Sequence, residues 1–213
     1  MKLLSVNVSL PKEIQHNGKT VTTGIFKEPV QERVMLRNLN LGGDGQADLE
    51  GHGGNYKAVY VYSIENYDYW KQELERDDFT MGQFGENFTV DGMLENDVNV
   101  GDVFRVGGAV VEVTQPRVPC FKLGIKMDSS KFPKVFLASC RVGFYLRVLE
   151  EGEVGAGDVI ERIKTDSQQM TVREICHLLY FDQKNLEGAR KALEIEALSP
   201  GWRESFEKRL TKG

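Results

Sequence analysis

Val98-Asn99-Val100-Gly101-Asp102-Val103-Phe104-Arg105-Val106-Gly107-Gly108-Ala109-Val110-Val111-Glu112-Val113-Thr114 holds two valine-rich runs, 98–106 and 109–114, parted by a glycine pair. Glycine and aspartate punctuate strands, so the segment predicts strand, turn, strand. The pattern repeats outward in both directions. Residues 2–10 place Leu4, Val6, Val8 and Leu10 on one face and Ser5, Asn7 and Ser9 on the other, as a half-buried strand does. Further strands are predicted over 21–26, 30–37, 58–62, 84–90, 144–149 and 159–163, with breaks at Gly42-Gly43-Asp44-Gly45 and Gly155-Ala156-Gly157-Asp158. Many short strands of this kind point to a mainly β fold, a barrel or a sandwich.

Helices interrupt and then follow the β region. The segment 63–74 carries a serine at its start and Ile64, Tyr67, Trp70 and Leu74 near helical spacing. A shorter helix is expected over 131–139. After about Thr165 the character changes. Thr171-Val172-Arg173-Glu174 is a capping box opening a helix through Tyr180. Asp182 can cap a second helix over 185–195, and Ser199-Pro200 starts a third with Trp202, Phe206 and Leu210 four apart. Helices this short need a surface to dock on. The division predicted is a β domain over 1–164 and a three-helix extension over 165–213.

A chain of 213 residues with 40% hydrophobic side chains can form one sizeable core plus an appendage. No window reaches the roughly 18 apolar residues of a membrane span, and the N-terminus alternates like a strand rather than a signal peptide, so a cytoplasmic location without membrane contact is expected. Three cysteines, Cys120, Cys140 and Cys176, have no paired spacing. Cys140 follows an apolar run and Cys176 sits on an amphipathic helix, so both read as packing residues. The net charge of −5 argues against general affinity for a nucleic-acid polymer. It hides an asymmetry: residues 115–147 hold seven basic side chains against Asp128 alone. A local positive field in an acidic chain suits a compact anion such as a phosphate.

Gln115-Pro116-Arg117-Val118-Pro119-Cys120-Phe121-Lys122 lies inside that basic stretch. Prolines stiffen the bend, and positive charge beside a cysteine favours the thiolate, the form that attacks electrophiles and binds metals. A second informative segment runs from Gly42 to Val59 through His52, Gly53 and Gly54. It lacks the spacing of a phosphate loop, and a strand rather than a helix follows it. His52 can donate to an anion or serve as acid or base, although loop histidines are more often structural. In Gly85-Glu86-Asn87-Phe88, the Asn87 amide suits a heterocycle edge or, equally, the capping of a strand end. No nucleophile elbow and no zinc ligand set is present. One thiolate with donors around it fits a soft metal whose other ligands come from a cofactor.

Taken together, the Gly-rich loop into His52-Gly53-Gly54, Gly85-Glu86-Asn87, and Gln115-Pro116-Arg117-x-x-Cys120 resemble the MOSC domain family in order and spacing. That family is named after the C-terminal domain of molybdenum cofactor sulfurase. The three-helix tail resembles that of its stand-alone bacterial members, the hydroxylaminopurine reductase (YiiM) type. The resemblance implies a MOSC-type β-barrel and a molybdenum cofactor (Mo-molybdopterin), with Cys120 as the protein ligand to the metal. It implies Arg117, Lys122 and Arg141 as candidates for the pterin phosphate, and His52, Gly53, Gly54, Asn87 and Gln115 along the pterin and substrate cleft, with Cys120 and His52 catalytic. The activity implied is reduction of small N-hydroxylated compounds to amines, with electrons from a separate, flavin-dependent reductase. A non-catalytic cofactor carrier, a sulfur carrier with a persulfide on Cys120, and a plain thiol enzyme are the competing readings.

Overall fold

The structure is a computed structural model that describes residues 1–45 and 54–212. Among the described residues the strands are β1 (Lys2–Val8), β2 (Lys12–His16), β3 (Lys19–Thr23), β4 (Glu28–Val30), β5 (Val34–Leu36), β6 (Val59–Ser63), β7 (Phe88–Asp91), β8 (Val103–Val106), β9 (Ala109–Pro116), β10 (Phe144–Glu150), β11 (Gly152–Val154) and β12 (Ile160–Lys164). The α-helices are α1 (Ile64–Leu74), α2 (Phe121–Lys126), α3 (Phe132–Ala138), α4 (Val172–Tyr180), α5 (Leu186–Leu193) and α6 (Pro200–Lys212). One sheet dominates, in the order β12-β8-β9-β10-β6-β7-β1-β4. It is antiparallel except for β6 and β7, which lie parallel and are connected through α1.

β8 and β9 form the expected hairpin, with Val106 opposite Ala109. The first strand is shorter than the valine pattern implied. Gly101 has φ +94, and the Asp102 carboxylate accepts the Asn99 amide at 3.0 Å, so residues 98–102 turn and pairing starts at Val103. The strand expected over 84–90 likewise begins only at Phe88. The Glu86 carboxylate, fully buried, accepts the amides of Gly82 and Phe84 and folds 82–86 into a tight turn. β12 and β1 meet at a bridge between Lys2 and Val159, extended by bonds from Leu3 N to Asp158 O and from Ile160 N to Met1 O.

Two apolar clusters fill the interior. One joins the sheet to the tail: Val113, Leu146, Val172, Ile175, Trp202 and Phe206 share it. The capping box at Thr171 forms as the sequence predicts, and α4 is further held by Val172 N bonding to Val98 O. α5 is capped by Asn185, which accepts the Gly188 amide, rather than by Asp182. The second cluster is aromatic, built from Tyr62, Tyr67, Trp70, Phe84, Phe132 and Phe136, and it takes in Cys140 and Cys176. Both cysteines are buried, as expected of packing residues. They also touch: the Cys176 thiol donates to Cys140 and draws it down to about 7.

Gly143 ties this frame to the residues that follow β9. Its φ is +65, its N–H donates to the buried Glu95 carboxylate at 2.7 Å, and its carbonyl accepts the Arg117 amide at 3.1 Å. A β-carbon there would lie 2.3 Å from the Val61 carbonyl oxygen. Gly143→Ala is therefore expected to lower unfolding free energy by about 3 kcal/mol in urea titration. A loss under about 0.5 kcal/mol, the scale of an ordinary surface substitution, would mean the strained turn does not hold the frame.

Candidate functional site

Every residue of β9 is buried, and its pairing with β10 carries the chain to Pro116. The Arg117–Gly143 backbone bond extends that ladder by one residue. Val118 and Pro119 then lead away from the sheet. Cys120, in extended conformation, stands at the start of α2 with its carbonyl accepting the Leu123 amide at 3.0 Å. The sulfur is thus half-buried and fixed at the junction of sheet and helix.

Two cavities meet at that junction. The larger, about 560 Å³, is a cleft between the sheet and the tail. Gly54, Gln115 and Cys120 line it on one side, and Tyr180, Ser199 and Trp202 on the other. The smaller, about 110 Å³, is lined by Lys27, Asp44, Asn87, Arg117, Cys120 and Lys122 among others. Lys57, Cys120 and Tyr145 border both. The thiol therefore faces a small cationic recess and a wide cleft at once.

Charge in the recess is held in an unusual way. Arg117 is buried and forms no ion pair among the described residues. Its guanidinium lies 4.7 Å from the Tyr60 ring centre and 5.5 Å from that of Phe136, and one nitrogen reaches the Tyr60 hydroxyl at 3.4 Å. Burial alone would push this group down; the Tyr60 and Tyr145 phenols and the Cys120 sulfur outweigh it and hold it above its ordinary value. Burial raises Tyr145 despite the guanidinium, so its hydroxyl is a neutral donor. Lys27 pairs with Asp44 at 2.5 Å. Asp44 also accepts the Ser9 amide and the Asn87 side chain. Beneath the recess, Lys126 donates to the carbonyls of Ile25 and Gly82, and burial lowers it to about 8.

The residues singled out from sequence divide as follows. Gly54 and Gln115 lie on the cleft, and Asn87, Arg117 and Lys122 on the recess. Gly54 has φ +87 with open space where a β-carbon would stand, so backbone there can approach a ligand. Among the described residues the Gln115 side-chain N–H has one weak acceptor, the Pro116 carbonyl at 3.5 Å, and the residue lines the cleft. Asn87 is different: its amide holds Tyr60 N, Asn7 O and Asp44, so it braces the recess rather than offering free donors. Arg141 lines neither cavity. It bonds Asn66 Oδ1 at 3.0 Å, stacks on Tyr69 at 4.4 Å and neighbours the buried Glu95, so its charge is used within the frame. His52 and Gly53 lie outside the described residues. Lys27, Lys57, Tyr145 and the tail residues of the cleft were not singled out; all come from segments distant in sequence from Cys120.

The family profile of the MOSC domain matches residues 48–161, and that of the YiiM-like 3-alpha helix domain matches residues 170–213. This chain belongs to the MOSC family. Uncharacterized protein YflK of Bacillus subtilis (strain 168) is 42% identical over 97% of this chain and 93% of its own. Protein YiiM of Escherichia coli (strain K12) is 33% identical over 94% of this chain and 90% of its own. A protein named Reductase from Gibberella moniliformis is 31% identical over 74% of this chain, which spans 28% of that longer protein. The crystal structure of YiiM from Geobacillus stearothermophilus superposes with a TM-score of 0.83 at 34% identity, covering 98% of each chain. The MOSC match spans Cys120 and the cleft's sheet-side wall, whereas the recess also takes Lys27 and Asp44 from before the match and the cleft's tail-side wall falls in the 3-alpha region.

Lys126 supplies a test of the cation cluster beneath the recess. Its folded value of about 8 lies below the ordinary 10.5, because burial outweighs the attraction of Glu86. Between those values the folded protein binds fewer protons than the unfolded chain, so this group makes stability rise with pH across that window. Below about 8 both states are charged and the burial penalty is constant. Relative to Lys126→Met, the wild type is expected to gain unfolding free energy as pH rises through the window; a difference that stays flat would show that Lys126 is not held in a desolvating site.

Proposed function

We propose that this MOSC protein is a molybdenum-cofactor-dependent reductase of small N-hydroxylated compounds, such as N-hydroxylaminopurines, yielding the amine. The observation that carries this reading is the half-buried Cys120 sulfur shared by a cationic recess and a wide cleft, beside a buried guanidinium that has no carboxylate partner among the described residues. Among those residues no cluster of three or more His, Cys, Asp or Glu side chains could hold a metal by itself. A lone thiolate suits a metal that arrives with its remaining ligands on an organic cofactor. The relative named Reductase adds an oxidoreductase sense. The bridge joining β12 to β1 fits a barrel closed at that seam.

In this reading Cys120 ligates the metal, and Arg117 with Lys122 and Lys57 binds the anionic end of the cofactor. Gly54 and Gln115 line the side toward substrate, with His52 and Gly53 assigned to the same region from sequence. When bound, the cofactor would supply the two-electron redox chemistry needed to cleave an N–O bond, which side chains lack. Overall, R–NHOH takes up two electrons and two protons and gives R–NH₂ and water. The chain's own part is to place the substrate and to keep charge where it is needed. Tyr145, a neutral phenol beside the sulfur, can donate a hydrogen bond to the departing oxygen without competing as an anion. Arg117 holds negative charge in a site shielded from water, where electrostatic attraction is strongest. Electrons come from a separate, flavin-dependent reductase in the cytoplasm. No helix among the described residues is long and apolar enough to cross a membrane.

The test is turnover. Protein made in a host that synthesises the cofactor should convert an N-hydroxylaminopurine to the aminopurine with a chemical electron donor. Cys120→Ala should lose more than about a hundredfold in kcat/KM, exceeding the effect usual for groups outside a metal's ligand shell. Full activity in that variant would remove the sulfur from the mechanism.

A further inference from the structure

The wide cleft is only half made by the MOSC region. Its far wall is supplied by Leu179 and Tyr180 at the end of α4, and by Ser199, Gly201, Trp202 and Ser205 where α6 begins. This wall is tied to the sheet. Ser199 N bonds to Thr114 O at 3.3 Å, and the Thr114 hydroxyl donates to Tyr56 O at 2.6 Å. Tail, sheet and the 55–57 turn thus converge on one residue next to Gln115.

The two aromatic rings of that wall are held together. Tyr180 and Trp202 pack edge to face with ring centres 6.1 Å apart. Trp202 is 5% exposed, and what remains open belongs to a residue lining the cleft. Neither the Trp202 indole N–H nor the Tyr180 hydroxyl has a hydrogen-bond partner among the described residues, and neither is among the fully enclosed polar atoms left unsatisfied. Both polar atoms therefore keep some exposure and no partner among the described residues, on side chains that line the cleft. Apolar ring surface combined with unengaged donors suits a flat heteroaromatic ring with acceptor nitrogens at its edge.

We propose that Tyr180 and Trp202 are the specificity-determining residues of the site, and that the three-helix tail selects flat heteroaromatic substrates over aliphatic ones. The inference rests on the reductase reading for the identity of the reaction, but not for the binding event. A planar ring lies against the tail wall, with its reactive substituent directed across the cleft toward Cys120. The tail is thus part of the site, which explains why it shares a core with the sheet.

The chain has two tryptophans, and Trp70 is buried in the aromatic cluster, so Trp202 is the cleft's own reporter. Adenine, which has no N–OH group to reduce, is the probe. Titrated into wild-type protein, it should quench tryptophan emission saturably, and Trp202→Phe should abolish the change. Tyr180→Leu should weaken binding about tenfold, the scale of one lost stacking partner. In turnover assays the same variant should raise KM for an N-hydroxylaminopurine while leaving KM for an aliphatic hydroxamic acid unchanged. Tyr180→Phe, which keeps the ring, should rescue most of the affinity. Absence of quenching in the wild type, or equal KM changes for both substrates, would overturn the proposal. Quenching by adenine without turnover of any N-hydroxy compound would instead sink the reductase reading and leave the wall's selectivity standing.

Discussion

A guanidinium buried without a carboxylate partner among the described residues is the constraint around which the site is organised. An unpaired interior charge costs several kcal/mol unless other groups stabilise it. Arg117 is stabilised by two aromatic faces, by phenol oxygens and by a neighbouring sulfur, none of which carries a fixed negative charge. Those contacts demand that Tyr60 on β6, Tyr145 on β10 and Phe136 on α3 converge on the end of β9. The sheet order places β9, β10 and β6 side by side, which delivers the two tyrosines, and α3 closes over them. The Gly143 turn then aligns the backbone on which Arg117 and Cys120 follow.

The same arrangement divides labour among the charged groups. Buried acids Glu86 and Glu95 serve the frame: the first organises the turn before Asn87, the second joins Asn66 to Gly143. Asp44 neutralises Lys27 and steadies Asn87. Lys122, at the start of α2, has no acceptor among the described residues, and with Arg117 it leaves the recess an excess of positive charge. Among the described residues, the cationic character of the recess follows from which cations the frame leaves without an acceptor.

Much of this was legible in the sequence because it is local. The β8–β9 hairpin is written in two valine runs and a glycine pair, and the Thr171 capping box in four consecutive residues. That Arg117, Cys120 and Lys122 share one recess was legible for the same reason, since they are near neighbours in the chain. What failed was direction and distance. Arg141 counted toward a basic stretch, yet the non-strand segment leading into the Gly143 turn sets it against Asn66 and Tyr69. The strand expected through residues 84–87 gave way to a turn, because a buried carboxylate captured the backbone amides that a ladder would use. Lys57, Tyr145, Tyr180 and Trp202 carried no local signal; only the closing of the sheet and the docking of the tail bring them to the sulfur.

The central claim is that Cys120 and the cationic recess together hold a metal-bearing anionic cofactor. Molybdenum content is the most direct test, measured on wild-type protein and on Cys120→Ala purified gently from a host that makes the cofactor. The account predicts near-stoichiometric metal in the wild type and almost none in the variant. Equal metal in the two proteins, or none in either, would contradict it.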